Sequence, residues 1–200
     1  MSQVPASERR ERLVEAALEV IGAEGMAAAS VRTISARAGM PAGAFHYVFR
    51  DKDELLEQLV AELPETLLAA ALPAVAIGSD LATTLRAGYQ APLQVWMASP
   101  ARHLALIELT VYALRTPTLH DLARRQYDRY FAAVESFLEA VADHFAVEFV
   151  PSTSVCAQLA TSVLDGVTLS WLALRDDDAA LAVLAAAGDA AVALTRPRPG

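Results

Sequence analysis

Four histidines and one cysteine are the side chains of this sequence most suited to catalysis or metal binding: His46, His103, His120, His144 and Cys156. No two histidines have the spacing of a metal site, and the sequence contains no HExxH, GxSxG, P-loop or dinucleotide-binding glycine pattern. His120 and His144 each stand beside an aspartate, but adjacent residues on a helix point in different directions. Residues distant in sequence could still meet. The sequence predicts that the protein is not an enzyme and binds no metal or cofactor.

The aspartate run 176–178 precedes the last predicted helix. We interpret it as a helix cap that complements the helix dipole, and a metal site is the less favoured alternative. The lone Cys156 cannot form an internal disulfide bond, which fits a reducing compartment, and its apolar neighbours Val155 and Ala157 predict that it is buried.

The sequence predicts a cytoplasmic protein that does not interact with a membrane. The longest apolar run, Leu67 to Gly78, contains Pro73 and is shorter than the roughly 18 residues that a membrane-spanning helix needs. The first twenty residues have charges within an amphipathic pattern and lack the features of a signal peptide.

Charge is distributed unevenly along the chain. Residues 1–50 hold six arginines and five glutamates, whereas the rest holds ten basic and nineteen acidic residues. This asymmetry suits an N-terminal part that meets a polyanion and a remainder that does not. The hydrophobic fraction of 54% suggests an apolar subunit interface, with the high alanine content as the alternative explanation.

The spacing of apolar residues predicts an all-α fold, because almost every segment has helical periodicity and no run alternates with period two. Four helices are expected in the first sixty-odd residues, with N-caps or starts at Ser7, Ser30, Ala42 and Asp51. Pro64 should kink or end the fourth. Five further helices are expected near Asp80–Ala98, Ala101–Arg115, Thr118–Ala146, Thr153–Arg175 and Asp178–Leu194, followed by a frayed tail.

The stretch from Ser35 to Val60 predicts a helix-turn-helix, in which the second helix enters the DNA major groove. Gly39 can adopt a positive φ at the end of the first helix, and Pro41 presets the entry of the next. Phe45 and Phe49, one turn apart, should anchor the second helix to the core. The residues expected to face DNA are small, or are polar aromatics: Pro41, Ala42, Gly43, Ala44, His46 and Tyr47.

Phosphate contacts are expected from residues at the starts of two neighbouring helices. Ser30, Arg32 and Thr33 begin the helix before the turn, where hydrogen-bond donors and the helix dipole favour an anion. Lys52 stands at the start of the fourth helix, where we expect the same role.

The run SVRTISARAGMPAGAFHYVFRDKDELL resembles the DNA-binding part of the tetracycline-repressor (TetR) family over Val31 to Leu56. The residues in register are Ile34, Ala38, Gly39, Gly43, Phe49, Lys52 and Leu55. Three positions depart from the usual family pattern: Pro41 replaces a frequent Ser, Ala44 a frequent Thr, and His46 the usual Tyr. Each change removes or alters a possible phosphate contact.

The resemblance implies a ligand-responsive transcriptional regulator, most often a repressor, that binds a palindromic operator in double-stranded DNA as a homodimer and is released by a small, largely apolar or aromatic effector. It divides the chain into a helix-turn-helix domain (1–53), a linking helix (about 51–72), a ligand-binding and dimerisation domain (73–195) and a tail (196–200). A helical ligand-binding or scaffold protein of the same fold without DNA binding is the alternative.

Candidates for the effector pocket are the bulky or polar-tipped residues of the middle helices. They are Tyr89, Trp96, Met97, His103, Glu108, Tyr112, Tyr127, Phe131 and Trp171. The dimer interface is expected on the last two helices, which could pair with their copies as a four-helix bundle. Its candidate residues are Leu159, Val163, Gly166, Val167, Leu181 and Leu184. Packing within the protomer's own core is the alternative for both sets.

Overall fold

The structure, a computed structural model, describes residues 5–60, 72 and 75–199. It divides into two compact units. The described residues of the first unit lie within Met1–Leu63 and Ser99–Gln126, and those of the second lie within Pro64–Ala98 and Tyr127–Gly200. Pro64 and most of the apolar run that begins at Leu67 lie outside the described residues.

The first unit is built from helices, as the sequence predicts. Its elements are α1 (Ala6–Glu24), a 3-10 turn (Met26–Ala28), α2 (Val31–Arg37), α3 (Ala42–Phe45), α4 (described over 52–60), α6 (Pro100–Arg115), a second 3-10 turn (Pro117–Leu119) and the start of α7 (His120–Phe145). The core of this unit includes Leu13, Ile21, Ile34 and Leu55, which have no exposed surface. Apolar residues at helical spacing therefore fold α1, α2 and α4 around one core.

The described residues of the second unit contain the rest of α7 and three further helices, α5 (Leu81–Met97), α8 (Thr153–Leu174) and α9 (Asp177–Val192). Its buried cluster includes Leu85, Leu93, Val141, Ala157 and Leu184. Close packing of α9 on α5 requires Gly188, because a Cβ atom there would lie 2.6 Å from the Cα atom of Arg86.

Four helix caps follow from short-range sequence signals. Ser30, Asp80, Ser152 and Asp176 each accept a hydrogen bond from the backbone amide three residues further along the chain. The prediction that the aspartate run caps the last helix is therefore confirmed. The Ser7 cap is wrong: α1 begins at Ala6, after Pro5, and has no side-chain cap.

The all-α fold is confirmed, and two short strands that the sequence did not indicate accompany the helices. β1 (Val147–Phe149) pairs antiparallel with β2 (Thr195–Pro197), with Glu148 opposite Arg196. The Arg196 side chain donates to the Glu148 carboxylate, and Arg198 donates to Asp143 at 2.9 Å. The prediction of a frayed tail is therefore wrong over these residues, since backbone and ionic contacts hold them in place.

Candidate nucleic-acid interface

The turn between α2 and α3 has the geometry of a helix-turn-helix. Gly39 adopts a φ of 69°, the left-handed conformation that glycine accepts without steric strain. The next amide, that of Met40, donates to the Ser35 carbonyl at 2.9 Å, which closes the end of α2. Pro41 then caps α3, and its carbonyl accepts from the Ala44 amide at 2.8 Å.

Two phenylalanines anchor α3 to the core. Phe45 and Phe49 are fully buried, and their ring centroids lie 5.5 Å apart. The helix ends at Phe45 rather than at Val48, because the Tyr47 and Val48 amides form single turns by donating to the carbonyls of Ala44 and Phe45. With the phenylalanines turned inward, the opposite side of the segment is left to solvent.

The solvent side of this segment carries most of the residues predicted to face DNA. Pro41, Ala42, Gly43, His46 and Tyr47 are exposed, and Ala44 is half-buried. The Tyr47 side chain is the most open of the large apolar side chains in this segment, with 82% of its surface exposed. The His46 ring nitrogen Nδ1 lies 3.3 Å from the Arg50 carbonyl oxygen.

Arg10 on α1 holds the segment that follows α3. Its Nη2 donates to the Val48 carbonyl at 3.1 Å, and its guanidinium carbon lies 4.5 Å from the Phe49 ring centroid. Nη1 donates to the Gln58 side-chain oxygen. The sequence analysis counted Arg10 only as part of the N-terminal charge; nothing local in the sequence indicates this contact.

The start of α4 is fixed by a capping arrangement. Asp51 accepts a hydrogen bond from the Glu54 amide at 2.9 Å, and the Glu54 carboxylate accepts from the Arg50 amide at 2.8 Å. The backbone hydrogen bond from Arg50 is the main reason that the pKa of Glu54 lies below its usual range. The cap predicted at Asp51 is confirmed.

The predicted phosphate-binding residues lie at the starts of α2 and α4. Ser30 Oγ accepts from the Thr33 amide at 3.1 Å, and the two hydroxyl oxygens lie 2.8 Å apart. Arg32 is exposed beside them. The Lys52 ammonium lies 5.2 Å from the centre of the Tyr112 ring on α6, within range of a cation–π contact.

α6 is tied to α1 and to the turn that follows it. The Glu108 carboxylate accepts from the Met26 amide at 2.6 Å, and Arg102 donates to Glu15 at 2.8 and 3.0 Å. Burial lowers the pKa of His103 to about 4, so its imidazole is neutral near pH 7. His103, Glu108 and Tyr112, predicted for the pocket, therefore lie in the first unit.

An apolar pocket lies within the second unit. The pocket is small: its cavity volume is about 10 Å³, which is room for about one water molecule. Its lining residues are Leu72, Leu85, Gly88, Tyr89, Val134, Phe137, Leu138, Ala160 and Leu164. Of the nine predicted pocket residues, Tyr89 alone lines this pocket. Its hydroxyl is the polar side-chain group of the lining, and burial raises the pKa of that hydroxyl.

The remaining predicted pocket residues of the second unit lie elsewhere. Trp96 and Trp171 are buried in its core, and Met97 packs against that core. The Trp171 indole donates to Asp177 at 2.6 Å. Tyr127 donates to the Asp165 carboxylate at 2.8 Å and packs against the Phe131 ring; burial raises the pKa of both Tyr127 and Asp165.

The outward faces of α8 and α9 are largely apolar, with the exposed Asp165 and Asp189 at their edges. Successive residues of a helix are rotated by about 100° about its axis, which identifies the residues near the middle of each outward face. These residues have apolar or small side chains. They are Val155, Leu159, Ser162, Gly166, Leu169 and Ala173 on α8, and Ala179, Ala182, Val183, Ala186 and Ala190 on α9. Leu169 and Val183 are 59% and 52% exposed.

The predicted interface residues divide between this outward surface and the core. Leu159 and Gly166 lie on the outward surface, and Val163, Val167 and Leu181 are half-buried. Leu184 has no exposed surface, because it is packed inside its own protomer. A Cβ atom added at Gly166 would meet nothing within 4 Å, so packing within the protomer does not require glycine there.

Among residues 5–60, 72 and 75–199, α8 is the one helix long and apolar enough to cross a membrane. Its length and hydropathy would suit a membrane span, and 44% of the relevant window is buried inside the protein. Core helices of water-soluble proteins have the same length and composition, so this feature is weak support for a membrane span. In the same ranges, no three His, Cys, Asp or Glu side chains are grouped to hold a metal ion.

The first unit matches a known family. Residues 13–59 match the family model described as bacterial regulatory proteins, tetR family. A curated relative, the HTH-type nicotine-responsive transcriptional repressor HdnoR of Paenarthrobacter nicotinovorans, is 30% identical over 176 residues. That alignment covers 88% of this chain and 89% of the relative.

Solved structures share the fold of the whole chain. A transcriptional regulator from Rhodococcus sp. Rha1 superposes with a TM-score of 0.78 at 24% identity, over 95% of this chain and 99% of that chain. The multidrug binding protein EbrR, solved in complex with imidazole, is 29% identical with a TM-score of 0.62, over 88% of this chain and 93% of that chain.

Proposed function

This chain belongs to the tetR family of bacterial regulatory proteins, and from this premise we propose that it is a dimeric cytoplasmic repressor. In this proposal the dimer binds a palindromic operator and leaves it when a small apolar effector binds. Membership of the family makes the chain a helix-turn-helix transcriptional regulator, and its relatives are regulators rather than enzymes. The operator contacts, the dimer and the effector are argued below from the residues.

The observation that carries the DNA-binding role is the exposed glycine of α3. Glycine inside a helix costs about 0.5–1 kcal/mol relative to alanine. Neither conformation nor packing requires it at Gly43, since its φ is not positive and an added Cβ atom would meet nothing within 4 Å. We infer that a surface outside the protein needs the bare backbone. The edge of a base pair in the major groove fits this requirement.

The contacts around Gly43 follow from exposure and charge. His46 and Tyr47 are exposed on the same segment and would meet bases or nearby phosphates. Ser30, Arg32 and Thr33 at the start of α2, and Lys52 at the start of α4, would contact the phosphate backbone. Phosphate contacts of this kind fix the register of the helix on the duplex, while the groove contacts supply sequence preference.

The largely apolar outer faces of α8 and α9 support a homodimer built as a four-helix bundle. Gly166 is the one glycine inside α8 and has open space at its Cβ position, so the partner's helix would approach most closely there. The proposed interface does not include Leu184, which is buried in the core, and it includes the exposed Leu169 and Val183. A two-fold pair of recognition helices would then read the two half-sites of a palindrome.

The lining of the pocket in the second unit favours an uncharged, largely apolar effector, which would have to widen the pocket when it binds. Its lining offers one hydroxyl, that of Tyr89, and no charged group, and burying an unpaired ion there would be costly. The names of two relatives, a nicotine-responsive repressor and a multidrug binding protein, also point to small organic molecules for this chain.

The release mechanism that we propose passes through α6. Leu85, Gly88 and Tyr89 line the pocket from α5, and α6 begins three residues after α5 ends. An effector that shifts α5 would pull on α6, which holds the DNA-binding helices through Glu108 and Arg102. The two recognition helices would then lose the spacing of the half-sites.

A mobility shift on the DNA upstream of the protein's own gene, across a salt series, tests this proposal. A DNA-binding protein loses affinity steeply as salt rises, and Lys52→Ala should reduce the slope of log K against log salt by about 1. Arg196→Ala, which removes an exposed cation from β2, is the matched control and should leave the slope unchanged. Absence of salt-dependent binding would instead favour a helical ligand-binding protein.

A further inference from the structure

The pocket of the second unit must widen to hold an organic molecule, and one of its lining residues is placed to make room. The cavity admits about one water molecule. Of the nine residues that line it, eight are buried, and Phe137 alone is half-buried. A buried side chain moves only by displacing its neighbours, whereas a side chain that reaches solvent can rotate outward. Phe137 is therefore the lining side chain that can leave the pocket with the core intact.

The Phe137 ring, on α7, lies directly against the backbone of Gly88, on α5. A Cβ atom added at Gly88 would lie 2.4 Å from Cε1 and 2.6 Å from Cζ of that ring. The φ of Gly88 is not positive, and glycine weakens the interior of a helix relative to alanine. The close approach of the ring is therefore what requires glycine here. Gly88 gives α5 a bare patch of backbone that accepts a six-membered ring.

We propose that Phe137 is the gate of this pocket, and that an uncharged six-membered ring of the effector takes the place of the Phe137 ring on Gly88. The inference rests on the proposed effector binding and names the chemical class of the ligand. An outward rotation of Phe137 leaves a space of the size of a benzene ring. The lining side chains of Leu85, Leu138 and Leu164 are aliphatic and buried. Such a site favours an aromatic or saturated carbon ring and penalises a charged group.

The gate lowers the affinity of the pocket by an amount that can be measured. Outward rotation exposes the buried part of the Phe137 ring to water, which is unfavourable. The apparent affinity for a ligand is reduced to the fraction of molecules in which the pocket is open. A variant without the ring is open in every molecule. It should therefore bind a free six-membered ring at least tenfold more tightly.

Benzene binding to the full-length protein, measured by isothermal titration calorimetry, tests the proposal. Phe137→Ala should bind one benzene per chain, at least tenfold more tightly than the unaltered protein. Phe145→Ala truncates another half-buried phenylalanine of α7 that does not line the pocket. It is the matched control and should show no gain. Benzoate, the same ring with a charge, should bind to Phe137→Ala at least tenfold more weakly than benzene.

A second measurement uses the unaltered protein and stands even if Phe137→Ala folds poorly. The side-chain NMR spectrum is recorded with isotope-labelled phenylalanine, and the signal that is missing in Phe137→Leu identifies the Phe137 ring. Saturation with benzene should move this signal toward the position of a solvent-exposed ring, because the gate has rotated outward.

Three results would overturn the proposal. They are a gain in benzene affinity of less than threefold in Phe137→Ala, an equal gain in Phe145→Ala, and a Phe137 signal that stays in place while benzene binds. Benzoate that binds as tightly as benzene would overturn the uncharged class of ligand. Failure of the proposed release mechanism is a different result, in which benzene binds tightly to Phe137→Ala and leaves the dissociation constant for DNA unchanged. That result supports the gate and overturns the release mechanism alone.

Discussion

The Glu108 carboxylate on α6 accepts a hydrogen bond from the backbone amide of Met26, with 2.6 Å between the two atoms. Met26 begins the 3-10 turn between α1 and α2, at the entrance to the DNA-binding helices. A single side chain therefore ties α6 to the turn that positions the recognition segment.

Replacement of Glu108 by alanine should destabilise the protein. A hydrogen bond to a charged group contributes about 1.5–3 kcal/mol, and the Met26 amide would lose its partner. We expect the free energy of unfolding in urea to fall by about 2 kcal/mol. Glu108→Gln keeps an acceptor oxygen and should lose less than half as much. Equal stability of Glu108→Ala and the unaltered protein would show that this tie contributes nothing.

The outer face of α8 and α9 should set the oligomeric state. Leu169→Glu would bury an unpaired charge at the proposed interface and should weaken the dimer at least 100-fold, since such a charge costs about 3–5 kcal/mol. Sedimentation velocity over a concentration series measures this. Ser136→Glu, on an exposed position of α7, is the matched control and should leave the dimer intact. A monomer for the unaltered protein, or a dimer that tolerates Leu169→Glu, would contradict the proposed interface.

Gly166 should be the closest point of that interface. Alanine at this position has room in the protomer and raises helix propensity, so Gly166→Ala should not destabilise the fold. It should weaken the dimer about tenfold, because the added methyl group would hold the partner's helix away. A dimer of unchanged affinity would place the closest approach elsewhere.

His103 should make the fold sensitive to mild acid. Its pKa is about 4 in the folded chain and about 6.5 when unfolded, so the unfolded state binds more protons between these values. Stability is then lost as pH falls through this window, by about 2 kcal/mol between pH 7 and pH 5. Urea denaturation at the two pH values should show a smaller loss in His103→Asn. The same loss in both proteins would assign the pH dependence to other groups.

Local signals in the sequence predicted the features that depend on neighbouring residues. Ser30, Asp51 and Asp176 cap their helices because a short polar side chain reaches an amide three residues away. Gly39 adopts the left-handed conformation that the turn needs. The helix-turn-helix followed from such signals together with the inward spacing of two phenylalanines.

Contacts between residues distant in sequence could not be predicted in this way. Glu108 has the composition of a pocket residue, but its partner lies 82 residues earlier. β1 and β2 are three residues each, too short for an alternating pattern, and they pair only because the tail returns to the end of α7. Most of the aromatic residues predicted for the pocket fill core or surface positions, since bulky apolar groups serve both purposes.

The Gly43→Ala variant tests the central claim most directly, that α3 carries a bare backbone so that it can approach DNA. The free energy of unfolding and the dissociation constant for a selected DNA site are measured on the same preparation. We expect stability to stay equal or to rise by about 0.5–1 kcal/mol, because alanine favours the helix, and DNA affinity to fall more than tenfold. Unchanged DNA affinity in a folded Gly43→Ala protein would contradict the account.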